Sequence, residues 1–150
     1  MAATLTNLLY HVVFSTKLRV PLITESLEAE LYRYMGGIIR GEGGILLEIG
    51  GMSDHVHLLV KLKPTVAVAD MLRILKANSS KWVNEEKWHL QKFGWQDGYA
   101  AFTVSQSQVL QVRRYIRNQK HHHHKADFQS ELKALLERHG VEYDERYVWD

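Results

Sequence analysis

Residues 50–64, GGMSDHVHLLVKLKP, constrain the fold of this chain more than any other stretch. Val56, Leu58, Val60 and Leu62 alternate with His55, His57, Leu59 and Lys61. A period of two belongs to a β-strand, whose successive side chains point to opposite faces. The segment therefore reads as a strand over His55 to Leu62 with one apolar face to bury. Its other face carries two imidazoles about 6.6 Å apart along the chain, at ~3.3 Å per residue. Side chains at that separation can converge on one divalent ion. They also fit two surface histidines on an amphipathic strand.

The rest of the chain supplies partners for that strand. Leu8 to Ser15 alternates in the same way, with Tyr10, Val12 and Phe14 on one face and His11 on the other, read as a packed or edge histidine. Lys17, Arg19 and Pro21 mark a loop. Thr24 is placed to cap a helix through Leu27, Leu31, Tyr34 and Ile38, with Glu25 and Glu28 favouring its positive end. Ile45 to Gly51 reads as a further strand, joined to His55–Leu62 by a short hairpin. Val68, Leu72, Leu75, Ser79 and Trp82 recur at helical spacing, and that helix is expected to run to about Lys92. Tyr99 to Ser105 reads as a fourth strand. Ser107 and Asp127 are candidate caps for two final helices, the last carrying Leu132, Leu135 and Leu136 and stopped by Gly140. The order β-α-β-β-α-β-α-α predicts an α+β fold: a ferredoxin-like antiparallel sheet with its two helices on one face and extra C-terminal helices.

One of those final helices carries the second informative pattern. Tyr115 and Gln119, in SQVLQVRRYIRNQKHHHHK, stand four residues apart and so share one helix face. Val109, Val112 and Ile116 form an apolar stripe, and Gln108, Gln111, Tyr115, Gln119 and His122 a polar one beside it. Arg113, Arg114, Arg117 and Lys120 surround the pair with positive charge, a setting suited to phosphate.

Together, His55-Val56-His57 and Tyr115…Gln119 resemble the single-tyrosine HUH transposases of the insertion sequence 200/605 group. The stretches YHVVFSTK, NSSKW, WQDGYAAFTVS and YDERYVWD are similar to the same family, so the resemblance covers nearly the whole chain. The run His121 to His124 departs from it. The resemblance implies Tyr115 as a nucleophile and His55, His57 and Gln119 as ligands of Mg2+ or Mn2+. Soft thiolate ligands are absent, and imidazoles tilt the preference toward manganese while leaving zinc open. It implies cleavage and rejoining of single-stranded DNA with hairpin ends through a 5′-phosphotyrosine. It also implies a homodimer whose tyrosine helix serves the metal site of its own chain or that of the partner. Lys17, Arg19, Lys61, Arg113, Arg114, Arg117 and Lys120 are the candidate DNA contacts. Trp82, Trp88 and Trp95 are candidates for base stacking, and Asn78 to Lys81 for contact with backbone phosphate. No carboxylate stands out as a general base. Two alternatives remain: a domesticated nuclease acting on repeated palindromes, and a non-catalytic nucleic-acid binder on the same sheet.

Composition narrows the setting. A length of 150 residues fits one domain, residues 1–150. There is no cysteine, which rules out disulfides and zinc–thiolate sites and suits a cytoplasmic protein. No stretch reaches the ~18 apolar residues of a membrane span, and MAATLTNLLYHVVFSTK lacks the marks of a secretory signal. No phosphate-binding glycine loop indicates a nucleotide cofactor. With a net charge of only +2, DNA binding must rest on a local basic patch.

Overall fold

The computed structural model describes residues 2–86, 88–89, 91–122 and 127–150. Strands β1 (Leu8–Ser15), β2 (Gly44–Met52), β3 (His55–Leu62) and β4 (Ala100–Val104) form one antiparallel sheet in the order β2-β3-β1-β4. Helix α1 (Glu25–Gly41) joins β1 to β2, and α2 (Val68–Glu85) joins β3 to β4. This is the ferredoxin-like arrangement, with β1 and β3 in the middle. Among the described residues three helices follow: α3 (Val109–Arg117), α4 (Gln119–His122) and α5 (Phe128–Arg138).

The period-two pattern divides the sheet into two faces. Val12 and Phe14 of β1 join Val56, Leu58, Val60 and Leu62 of β3 in the main core. Leu27, Leu31, Met35 and Ile39 of α1 and Met71, Leu72 and Leu75 of α2 close over them. The Thr24 side chain accepts the Leu27 backbone N–H and starts α1 where expected. The opposite face is not open. Phe128, Leu132, Leu135 and Leu136 of α5 pack there against Val13 and Phe102. Four such side chains are worth roughly 1.5–3 kcal/mol each when buried.

Three local expectations fail. Helix α2 ends at Glu85 rather than near Lys92, and the Asn84 side chain then binds both the N–H and the carbonyl of Phe93. Ser107 does not cap α3; it lies in a 3-10 turn, Gln106–Gln108, with its hydroxyl on Ser105. The helix bearing Tyr115 stops at Arg117, and Asn118 (φ −97°, ψ 22°) separates it from Gln119 in α4. Asp127, by contrast, caps α5 by accepting the Ser130 N–H at 2.9 Å. Gly140, at φ +68°, follows the helix end.

Candidate active site

The site lies between β3, β1 and the three C-terminal helices. His55 and His57 are completely buried, at 0% exposure each, and not on an open face. Each imidazole is held from behind through Nδ1. His55 Nδ1 lies 2.7 Å from Asp54 Oδ1, and His57 Nδ1 lies 2.9 Å from His11 Nε2. That fixes both rings with Nε2 turned the same way. A hydrogen bond to the second ring nitrogen is how a metal-ligating histidine is oriented.

Both Nε2 atoms face Glu131 Oε1, at 3.4 Å from His55 and 2.9 Å from His57. Glu131 belongs to α5 and is the hub of the site. Its Oε2 accepts the Tyr115 hydroxyl and the Gln119 amide Nε2, the latter at 2.9 Å. The Gln119 Oε1 returns to His55 Nε2 at 3.1 Å. Phe128, one turn before Glu131, stacks its ring on His55 with centroids 4.5 Å apart. Tyr115 stands edge-on to His57, 5.6 Å between centroids. Tyr115 and both histidines meet within this chain.

Helix α3 reaches this position because β2 lets it approach. A Cβ on Gly50, which pairs with His57, would lie 2.2 Å from the Ile116 carbonyl oxygen, so only glycine admits the helix so close. The pairing of β2 with β3 shifts register between Leu46 and Glu48, and Glu48 meets α3. Arg113 and Arg117 bind its carboxylate at 3.1 and 2.9 Å, and Lys120 binds Glu28 at 2.6 Å. These cations do not surround Tyr115 as expected. Such partly exposed pairs are worth about 0–1 kcal/mol and are easily exchanged.

The electrostatics follow from burial against charge. Burial opposes the charged form of His55, but hydrogen bonds to Asp54 and Glu131 outweigh it and raise its pKa to about 9. Burial, with His57 beside it, lowers His11 to about 3, so His11 is neutral. Burial likewise opposes charge on Glu131, yet the bonds from His55 and His57 hold it well below the usual carboxylate range. Burial, then Glu131, pushes the Tyr115 phenol above its ordinary value, while the Gln119 hydrogen bond and, after it, the charge of Arg138 pull it down. Among the described residues, ligand atoms of His55, His57 and Glu131 lie within 4.8 Å of one another. Two imidazoles and a carboxylate fit a divalent cation such as Mn2+ or Mg2+.

Glu131 and His11 are the site residues that sequence reasoning missed. A signal existed for each. Glu131 occupies the buried stripe of α5 with Phe128, Leu132, Leu135 and Leu136, where a carboxylate has no packing reason to be. His11 sits on the inward side of a central strand.

The other candidates lie elsewhere. Lys17 is exposed and Arg19 half-buried in the 3-10 turn Lys17–Arg19, with the Arg19 guanidinium 5.7 Å from the Trp149 ring centre. Leu18 and Arg19 both have φ near +56°, a strained conformation held by the Thr16 hydroxyl on the Val20 carbonyl and by the Lys17 N–H on Gly94. Lys61 is half-buried on β3, and Arg114 is exposed on α3. Trp95 is a core residue: its ring packs on Phe14 and Phe93, and its N–H binds Ser79. Trp82 is half-buried and stacked on Tyr34, with Trp88 6.3 Å away. The Ser79 and Ser80 hydroxyls bind the Leu75 and Lys76 carbonyls of their own helix, so they are not set out for phosphate. His121 is exposed in α4. The His122 side chain, His123 and His124 lie outside the described residues.

Residues 4–119 match the family model described as "Transposase IS200 like". Over 117 residues the chain is 27% identical to the ISDra2 transposase TnpA of Deinococcus radiodurans, covering 73% of this chain and 82% of that protein. Over 129 residues it is 29% identical to the transposase for insertion sequence element IS200 of Salmonella typhimurium, covering 79% and 81%. A crystal structure from D. radiodurans R1, described as a transposase, superposes with a TM-score of 0.64 at 27% identity, covering 79% of this chain and 95% of that one. A REP-associated tyrosine transposase bound to a REP hairpin shares the fold, at TM-score 0.59 and 11% identity, over 79% and 69%. The family match ends at Gln119, so Glu131 lies beyond it.

Proposed function

The chain belongs to the IS200-like transposase family, and from that premise we propose that it cleaves and rejoins single-stranded DNA through a covalent 5′-phosphotyrosine at Tyr115. The observation that carries this reading is the convergence of the Tyr115 phenol, two imidazole Nε2 atoms and the Gln119 amide on one buried carboxylate. The Tyr115 oxygen attacks phosphorus, a P–O bond to Tyr115 forms, and the bond to the 3′ oxygen breaks and leaves a 3′ hydroxyl. The phenol donates a hydrogen bond to Glu131 Oε2, which orients it, while Oε1 faces the imidazoles. His55, His57 and Glu131, with Gln119 beside them, are the residues that would hold the cation. When bound, Mg2+ or Mn2+ supplies Lewis-acid polarisation of a non-bridging phosphate oxygen. His11 and Asp54 act behind the imidazoles by fixing their orientation.

The substrate proposed is a single strand with hairpin ends, drawn along the basic side chains Lys17, Arg19, Lys61, Arg113, Arg114, Arg117 and Lys120, by a cytoplasmic homodimer. Among the described residues no helix is long and apolar enough to cross a membrane. The test is a labelled hairpin-bearing single strand incubated with Mn2+ and run on a denaturing gel. Wild type is expected to retain a protein–DNA band that Tyr115→Phe lacks. A band that persists in Tyr115→Phe would refute the assignment.

A further inference from the structure

We propose that the cleft between α3, β4 and the end of α5 seats one nucleotide flanking the scissile bond, with Arg138 holding its phosphate. This rests on Tyr115 being the attacking group. The cleft has a volume of about 530 Å³ and is lined by His11 and Tyr115 on the inside and by Gln108, Gln111, Arg138 and His139 nearer its mouth. Small-ligand sites run from roughly 300 to 1,000 Å³.

Three observations select this cleft and this ligand. The first is access. His55 and His57 are sealed under Phe128 and α5, whereas Tyr115 is half-buried and lines the cleft. Tyr115 lines this cleft and His55 and His57 do not, so a strand entering here meets the phenol rather than those two imidazoles. The second is charge. Arg113 and Arg117 are turned to Glu48, and Lys120 to Glu28. Arg138 lines the same cleft as Tyr115, and its charge is felt at the phenol. A guanidinium suits a phosphate because it presents paired donors. The third is the lining. Side-chain amides of Gln108 and Gln111 and the hydroxyl of Thr103 offer donors and acceptors to a base edge. The His139 ring lies flat on Phe102, centroids 4.3 Å apart and 15° between planes, which makes a surface for stacking.

The experiment measures fluorescence anisotropy of a labelled single-stranded oligonucleotide on Tyr115→Phe protein, with and without Arg138→Ala. Arg138 is exposed, so its loss leaves the core intact. The expected result is roughly tenfold weaker binding, with the salt slope reduced by about one unit, as for one lost phosphate contact. Arg138→Lys should restore the salt slope but only part of the affinity, since the charge returns without the paired donors. Unchanged affinity and salt slope in Arg138→Ala would overturn the proposal. Wild type carries the control in parallel. If it forms its Tyr115 adduct while Arg138→Ala binds normally, the cleft assignment falls alone. If wild type forms no adduct, the reading of Tyr115 falls, and with it the nucleotide's place beside the scissile bond.

Discussion

Strand β3 has two faces that are equally buried and differently held. Leu58 and His57 are neighbours, and both are 0% exposed. Leu58 is covered by α1 and α2, helices that close the loops between strands, and is held by packing. His57 is covered by α3 and α5 and held by His11 on one side and Glu131 on the other. Burial alone therefore does not distinguish a core position from a site. What distinguishes them is how each buried group is satisfied. A leucine needs only shape, whereas an imidazole needs a partner for each nitrogen.

The largest effect should come from breaking the packed face. Leu58→Ala should cost about 2–5 kcal/mol, read as a lower denaturation midpoint. Added manganese should raise the melting temperature of this variant by the same increment as wild type, since the metal binds the other face. If the variant gains nothing from manganese, the two faces are not independent.

Next comes the support behind the imidazoles. His11→Ala or Asp54→Ala should weaken manganese binding by roughly 10–100-fold, the usual cost of removing a group that orients a ligand. Calorimetric titration reads this directly. Affinity equal to wild type in both variants would mean that His55 and His57 are structural histidines.

The smallest effect separates the faces by pH. His55 is raised from 6.5 to about 9 in the folded chain. Its contribution is therefore complete below pH 6.5 and lost as pH rises through 9. His11 is lowered from 6.5 to about 3, so it costs stability increasingly as pH falls below 6.5. Glu131, depressed from 4.5, adds stability above that value and is silent between pH 5 and 9. The metal-free protein should thus melt highest near pH 6.5 and decline toward pH 9. A cation on the imidazoles replaces the His55 proton and should remove the alkaline decline. A flat profile over pH 6.5–9 without metal would contradict the His55–Asp54–Glu131 arrangement.

How legible all this was in the sequence follows the same division. The bounds of β1, β3 and α1 and the cap on α5 were readable because local alternation and local hydrogen bonds set them. His55, His57, Tyr115 and Gln119 could be named from pattern and resemblance. The lid over them could not. Glu131 reaches the site only because α5 docks its apolar stripe on Val13 and Phe102, a contact with no sequence-local signature. His11 looked like one more inward side chain until its register beside His57 brought the two rings together. Arg113 and Arg117 pair with Glu48 of β2, a contact between residues more than sixty positions apart that no local pattern announces.

The central claim is that one chain builds the whole site, with Tyr115 5.6 Å from His57 of its own chain. Mixing a Tyr115→Phe chain with a His57→Ala chain, then assaying adduct formation on a hairpin-bearing single strand with Mn2+, tests it most directly. Each chain carries one defect in its own site, so the mixture should remain as inactive as either variant alone. Recovery of the covalent band in the mixture would mean that the tyrosine of one chain serves the histidines of another.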